Sequence, residues 1–277
     1  MYTIGVDIGA SKVAAALVKG RRVVLYVKTA YRVKTLSEIR TAVFSSIKKV
    51  AVHSKINGIG LGVPCALDQK GKVLSCANVS VLRPKQIARA LTKIYRVPVF
   101  IENDVRAAAL AELKYGIGRK SKNFVFVAFG TGIGGAVVID GKLYKGALGW
   151  AGEFGHSIVQ VKSLKFKVKS YAEWEEICTK RFLKSRKTQK DGDEFAYSIA
   201  LGLVNITYFL APEYIVVGGG LLSLWDSRFN KKVLSAMRRM STLPGPSFPK
   251  IIRSKFGERA GVVGVSLLMY DRRGTKK

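Results

Sequence analysis

Cysteine, histidine and acidic side chains are scarce in this sequence, and each scarcity excludes something. The three cysteines, Cys65, Cys76 and Cys178, lie far apart with no C-x-x-C pair. That argues against a disulfide framework and a Cys-rich metal site, and predicts buried thiols. Of the two histidines, His53 in AVHSK has no polar cluster around it and reads as structural. No long apolar run occurs, because the greasiest stretch, 201–222, is broken by Asn205, Pro212, Glu213 and several glycines, so no membrane span is expected. The opening MYTIGVDIGASK lacks a basic region followed by an apolar core and a small-residue cleavage site, so the cytoplasm is the expected location. Acidic residues number 18 against 48 lysines and arginines, a net charge of +30. Such a field attracts nucleic acid, anionic lipid or polyanionic substrates. The basic residues nevertheless run from Lys12 to Lys277 without gathering on one motif, and zinc-finger, RNP and basic-zipper patterns are missing. A dedicated nucleic-acid or membrane partner is therefore not expected.

What is present is an alternating α/β pattern long enough for about two domains. Residues 2–33 read as two strands joined by a tight turn with a third following. Behind a Ser37 cap, Ile39, Val43, Ile47 and Val50 recur at helical spacing. A buried strand at 59–63 stopped by Pro64, a helix at 83–95 and a strand at 97–101 continue the alternation. Ligands of such layered sheets collect at the carboxyl ends of strands.

The second half repeats the opening. Laid without gaps, Gly9-Ala10-Ser11 falls on Gly130-Thr131-Gly132 and Lys19-Gly20-Arg21 on Asp140-Gly141-Lys142. The repeat predicts two similar α/β lobes, each giving a small-residue loop to a cleft between them. In DIGASK, small residues let the backbone present N–H groups to phosphate oxygens while Asp7 stands ready for hydrated Mg²⁺. FGTGIGG offers the same device, and Gly218-Gly219-Gly220 after the apolar strand 214–217 suits a nucleotide base or ribose. Taken singly, each cluster is more often a plain turn, and none fits a P-loop or Rossmann fingerprint.

Between the loops lies FIENDVRAAALAEL, where a strand gives way to an Ala-rich helix. Asn103 or Asp104 is the expected N-cap, and a carboxylate at that strand end is equally suited to taking a hydroxyl proton; the two roles can coexist. In GALGWAGEFGHSIV, Gly152 and Gly155 flank Glu153 and Phe154 and bring a carboxylate close to His156, which suits the hydroxyls of a polar substrate.

Together these motifs resemble the ROK family of sugar kinases and sugar-responsive repressors, within the actin-like ATPase superfamily. DIGASK is similar to the family's D-I-G-G-T-K phosphate loop, END with its Ala-rich helix to the catalytic segment, GTGIGGAVVIDGKLYKGALGWAGEFGH to the second phosphate loop running into E-x-G-H, and PEYIVVGGGLL to the adenosine segment. The resemblance implies two actin-like (ribonuclease H-like) lobes, 1–105 with a returning C-terminal helix at 262–277, and 106–261, with the ligand cleft between them. It implies ATP and Mg²⁺ as cofactors and a homodimer. Asp104 becomes the base, Asn78, Asn103, Asp104, Glu153, His156 and Glu173 the sugar side, and Gly9, Ala10, Ser11, Lys12, Gly130, Thr131 and Gly132 the phosphate loops. Asp7 lies near Mg²⁺, held through water or phosphate, and Gly218, Gly219 and Gly220 near adenosine. The implied reaction phosphorylates a glucose-like hexose at its 6-hydroxyl.

Three departures bear on activity. Where many relatives carry C-x-C-G-x-x-G-C-x-E, a zinc module that includes the histidine, this chain has SLKFKVKSYAEWEE. If Glu173 matches the motif's glutamate, the cysteines fall on Leu164, Phe166 and Tyr171, none of which binds zinc; Glu175 is the alternative match. Leu164, Phe166 and Val168 alternate with lysines, as in a half-buried strand with a charged outer face. Ala10 and Ser11 replace Gly and Thr in the first loop, and Cys65 stands where the family usually has glycine near the sugar, which leaves the sugar open. Competing readings are a non-catalytic sugar sensor, a kinase for N-acetylmannosamine, N-acetylglucosamine or fructose, and a kinase taking inorganic polyphosphate as donor, favoured by the basic surface. The family's repressors carry a winged helix before the first phosphate loop, which here begins almost at Met1, so a DNA-binding role by that route is not expected. Metal analysis of the purified protein is expected to return no stoichiometric zinc; one zinc per chain would overturn the reading of residues 164–171.

Overall fold

The computed structural model describes residues 1–31, 35–51, 55–76, 79–161, 171–180, 189–242 and 248–271. His53, Asn78 and the alternating segment from Leu164 to Val168 lie outside them.

The opening forms an antiparallel meander of β1 (Tyr2–Ile8), β2 (Lys12–Lys19) and β3 (Arg22–Ala30). Helix α1 (Leu36–Val50) follows and buries Ile39, Val43, Ile47 and Val50 as their spacing predicts. Its cap is Thr35, not Ser37. The Thr35 hydroxyl accepts the Glu38 N–H at 3.2 Å while the Glu38 carboxylate accepts the Thr35 N–H at 2.9 Å. That reciprocal box satisfies two orphan donors, and a cap at Ser37 would leave Glu38 out of position to close it. Next come β4 (Ile56–Val63), the short hairpin β5 (Ala66–Leu67) and β6 (Val73–Ser75), α2 (Pro84–Tyr95) and β7 (Val99–Asn103). The first sheet runs β3-β2-β1-β4-β7, with β1, β4 and β7 parallel.

Helix α3 (Asp104–Tyr115) leads to the second sheet, made of β8 (Phe124–Phe129), β9 (Ile133–Ile139) and β10 (Lys142–Tyr144). A small ladder of β11 (Ile158–Val161) and β12 (Tyr171–Glu173) precedes α4 (Gln189–Leu210), β13 (Tyr214–Gly218), α5 (Ser227–Met240), β14 (Lys250–Arg253) and α6 (Ala260–Asp271). The second sheet runs β10-β9-β8-β13-β14, the plan of the first sheet over again. The repeat in the sequence is thus a repeat of topology, with one difference. The first loop closes on the pair Ile8↔Val13 and the second on Phe129↔Ile133, so the second loop is one residue shorter than an ungapped overlay requires.

Helix α6 returns from the second sheet and packs on β1, β4 and α3. Contact is backbone to backbone. A Cβ on Gly5 would stand 1.9 Å from the Val262 carbonyl oxygen, one on Gly60 2.1 Å from that of Val265, and one on Gly264 1.6 Å from that of Ala107. Among the described residues, no helix is long and apolar enough to cross a membrane.

The cysteine expectation needs correction. Cys65 and Cys76 form a disulfide, with Cα atoms 4.1 Å apart, across the β5–β6 hairpin. Their separation of 11 residues is closed by strand pairing, which spacing rules written for Cys-rich domains do not register. Cys178 is the buried free thiol foreseen, and burial pushes it up to about 12.

Replacing Gly264 by alanine drives a methyl into the α3 backbone and is expected to destabilise the fold by roughly 2 kcal/mol or more. Gly192→Ala, in α4 where nothing lies within 4 Å of the added carbon, should gain about 0.5–1 kcal/mol from helix propensity. Urea unfolding midpoints of the two variants read the contrast.

Candidate functional site

The site begins where β1 runs out. Asp7 pairs with Ala14 of β2 and Gly62 of β4, and its Oδ2 lies 2.6 Å from where a Cβ on Gly261 would stand, so its carboxylate rests on the first turn of α6. Burial raises Asp7 to about 6, with the nearby Lys12 cation pulling the other way. Gly9 donates its N–H to the Lys12 carbonyl at 2.9 Å and so closes the first loop. Tyr31 braces that loop from outside: its hydroxyl donates to the Gly9 carbonyl and its N–H to the Ser11 carbonyl at 3.0 Å. Burial, followed by the charge of Asp7, lifts the Tyr31 hydroxyl to about 12. Tyr31 lies at the end of the opening meander, and no sequence signal marked it as a partner of the loop.

At the end of β7 the cap question resolves in favour of Asn103. Its side-chain oxygen accepts the Arg106 N–H at 2.9 Å, and its amide group donates to the Cys65 carbonyl at 3.3 Å. Asp104 therefore opens α3 without carrying the cap, its Oδ1 accepting the Val105 N–H at 2.9 Å. Burial is the largest influence on this carboxyl, and the negative charge of Asp7 the next; together they raise it to about 7 against opposing backbone hydrogen bonds, with a smaller push from Glu153. Cys65 is itself buried and locked in its disulfide, so it meets the site through its carbonyl oxygen.

Glu102, at the same strand end, has a different duty. It is buried, held by Arg106 Nε at 3.1 Å and Lys145 Nζ at 2.5 Å. Arg106 also reaches the carbonyls of Gly149 and Leu67 at 3.4 and 3.3 Å. The spacing of Glu102 and Arg106, four apart, was visible in the sequence; Lys145 as third member was not.

The second loop turns on a Gly130 N–H to Gly132 carbonyl bond of 3.0 Å. It abuts the third glycine cluster, since a Cβ on Gly130 would stand 4.0 Å from the Gly220 nitrogen. Gly219 has φ +88°, and a Cβ there would lie 2.4 Å from the Phe129 carbonyl oxygen, so only glycine lets this turn sit against the strand end. Thr131 contributes a carbonyl to the Thr179 hydroxyl at 3.4 Å.

His156 Nδ1 lies 3.0 Å from Glu173 Oε2. Glu175 turns to the second loop instead, accepting the Ile133 N–H at 3.2 Å. The hydrogen bond to Glu173 is the main reason that the His156 ring holds its proton above the usual range, helped by the charges of Glu173, Glu175 and Glu153 and opposed by burial. One ligand atom from each of His156, Glu173 and Glu175 lies within 4.8 Å of the others, but the bonds just described already engage these groups. Asp7 and Glu153 thus neighbour Asp104, Glu153 and Glu173 neighbour His156, and Glu175 and Gly220 adjoin the second loop. Such a site can cradle phosphates on one side and hydrogen-bond a polyol on the other.

The ROK family model matches residues 3–179 and 167–272. The chain belongs to the ROK family, and its fold is that of the actin-like ATPases. A glucokinase of Streptomyces coelicolor is 26% identical over 97% of this chain and 98% of its own. A xylose repressor of Bacillus subtilis is also 26% identical, over 77% of this chain and 61% of the repressor, so the match spans about three fifths of that protein. A ROK family glucokinase from Streptomyces griseus, solved with glucose and AMPPNP, superposes with a TM-score of 0.80 at 24% identity, covering 98% of this chain and 100% of that one.

The raised Asp104 carboxyl has a stability consequence. An unfolded aspartate loses its proton near 3.9, whereas the folded one keeps it to about 7. Through that window the folded state binds more protons than the unfolded, so stability falls as pH rises. Asp104→Asn is expected to stabilise the protein by roughly 1–2 kcal/mol at about pH 8, after allowance for solvent, and to change little near pH 4. Equal effects at both pH values in urea titrations would contradict this.

Proposed function

We propose that the protein is an ATP-dependent hexose kinase that phosphorylates a glucose-like sugar at its 6-hydroxyl. The observation that carries the reading is Asp104: a carboxyl at a strand's end, raised to about 7, beside the phosphate-loop aspartate and the Glu153–His156 cluster. A general base serves best when its pKa lies near the working pH. In this reading Asp104 accepts the hydroxyl proton as the sugar oxygen forms a bond to the γ-phosphorus. The bond from that phosphorus to the bridging oxygen breaks, and ADP leaves. The N–H groups of the loops at Gly9 to Lys12 and Gly130 to Gly132 hold charge developing on the phosphoryl oxygens. Asn103, Glu153, His156 and Glu173 orient the sugar, and Gly218 to Gly220 border adenosine. Asn78 is assigned to the sugar side by family resemblance alone.

A magnesium ion suits Asp7, a hard oxygen donor whose burial raises it to about 6 and so makes its charge costly unless a cation stands nearby; when bound, such an ion neutralises phosphate charge. Two lobes, 1–105 with 262–277 and 106–261, would close around the sugar and keep water from the phosphoryl group. Glucose and AMPPNP in the Streptomyces griseus glucokinase support the pairing of ligands. A second reading, sugar binding without turnover, is favoured by the likeness to the xylose repressor.

The deciding measurement is ADP release with glucose, mannose, fructose, N-acetylglucosamine and N-acetylmannosamine. Asp104→Asn is expected to lower kcat by about 10²-fold or more, and kcat/KM of the parent to rise with pH through an inflection near 7, where the base loses its proton. Sugar binding with no ADP formed from any of the five would replace the kinase by the sensor.

A further inference from the structure

The Cys65–Cys76 disulfide lies where the proposed sugar side of the site is anchored. Cys65 follows Pro64 just past β4, and its carbonyl accepts the Asn103 amide at 3.3 Å. Two residues on, the Leu67 carbonyl accepts Arg106 Nη2 at 3.3 Å. Asn103 and Arg106 in turn set the first turn of α3, where the Asn103 side chain accepts the Arg106 N–H and Asp104 is the first helical residue. On the other arm, the Cys76 carbonyl accepts the Val79 N–H at 3.0 Å and so directs the chain that leaves the hairpin.

Strand pairing adds little at the base of this hairpin. Strands β5 and β6 pair at only two positions, Ala66↔Ser75 and Leu67↔Val73, with a register shift between them, and so short a ladder is marginal on its own. The tip has its own bonds, from the Asp68 and Gly71 N–H groups to the Lys72 and Asp68 carbonyls at 3.0 Å and from the Lys72 N–H to Asp68 Oδ1 at 2.7 Å. Opening the disulfide therefore loosens the base, which carries the Cys65 and Leu67 carbonyls, rather than the tip. The two cysteines differ in access: Cys65 is 2% exposed, whereas Cys76 is only partly buried. Cys178 is a buried thiol in the core under the second sheet, pushed up to about 12, so it takes no part in exchange.

We propose that this disulfide is a redox switch on the sugar side of the site, opened by a dithiol reductant and closed again by a disulfide oxidant. One thiolate of the dithiol attacks the Cys76 sulfur, the Cys65–Cys76 bond breaks, and Cys65 leaves as a thiolate that takes up a proton. The second thiol of the reductant then displaces Cys76 from the mixed disulfide, so the reductant departs as a cyclic disulfide, and its two electrons and two protons end on the two cysteines. In the oxidised form the Cys65 carbonyl stays against the Asn103 amide and the cap of α3 is fixed. In the reduced form that contact is intermittent, and the competent site is populated for part of the time only. The consequence for sugar binding rests on the kinase reading of the site, while the change in order at the α3 cap does not.

Oxidised parent, parent reduced with dithiothreitol and Cys76→Ser together test the switch. Thiol titration under denaturing conditions should count one thiol in the oxidised parent, from Cys178, and three after reduction. The Arg106 amide, whose N–H is held by the Asn103 side chain, should exchange with solvent deuterium about tenfold faster on reduction, while amides of α5 keep their rates. KM for glucose, or for whichever of the five sugars is turned over, should rise roughly threefold or more as the competent population falls, with KM for ATP unchanged. Cys76→Ser should behave as the reduced parent in every buffer, and reoxidation of the parent should restore the first state without any substitution. If none of the five sugars yields ADP in either state, the kinase reading fails and exchange at Arg106 decides the switch alone. Three thiols in the air-oxidised protein, an Arg106 amide that ignores reduction, or an equal rise in KM for both substrates would each overturn the proposal.

Discussion

Backbone contact between α6 and the first sheet is the constraint on which the rest of the molecule depends. Side chains normally hold a helix several ångströms off a sheet, but at Gly5, Gly60 and Gly264 there is no room for even a methyl group. That approach sets the first turn of α6 against Asp7 and the middle of α6 against α3, whose own first residue is Asp104. Two carboxylates from different elements are thereby placed in one poorly solvated space, where the charge of one opposes ionisation of the other. A site of this kind is relieved by whatever brings positive charge or accepts a proton, which is why the same geometry suits both cation binding and general base chemistry.

The other wall of the cleft is set by buried charge. Glu102 binds Arg106 on its own helix junction and Lys145 on the segment after β10, while Gln69 donates to the Gly146 carbonyl at 2.6 Å and Arg106 to the carbonyls of Gly149 and Leu67. These bonds tie the β5–β6 hairpin to residues 145–149, directly ahead of Glu153 and His156. The disulfide closes the same hairpin and leaves the Cys65 carbonyl to receive the Asn103 amide. A buried, paired charge is weak evidence of stability; here it links residues 145–149, just ahead of Glu153 and His156, to the end of β7.

Much of this was legible in the chain because local patterns and global fold agree. The meander, the periodic face of α1 and the buried strand ended by Pro64 follow from apolar spacing and turn residues, while the returning last helix came from the family resemblance. Duplicated glycine loops foretold duplicated sheets. The ambiguity over Asn103 and Asp104 was real at that level, since either side chain can cap a helix. The cap at Ser37 and the ungapped overlay of the two loops both failed by small shifts, because hydrogen-bond closure and strand register are decided by partners several residues away.

By itself, then, the sequence determined the strand and helix alternation up to α3, the repeated glycine loops and, through its motifs, the family, because these rest on residues close together along one chain. Only the tertiary structure decided that Cys65 meets Cys76, that Tyr31 braces the first loop, that Lys145 completes the ion triad and that Glu173, not Glu175, holds His156. Each of those outcomes depends on distances between segments far apart in the chain, and it is packing, through backbones brought into contact at glycine, that sets such distances.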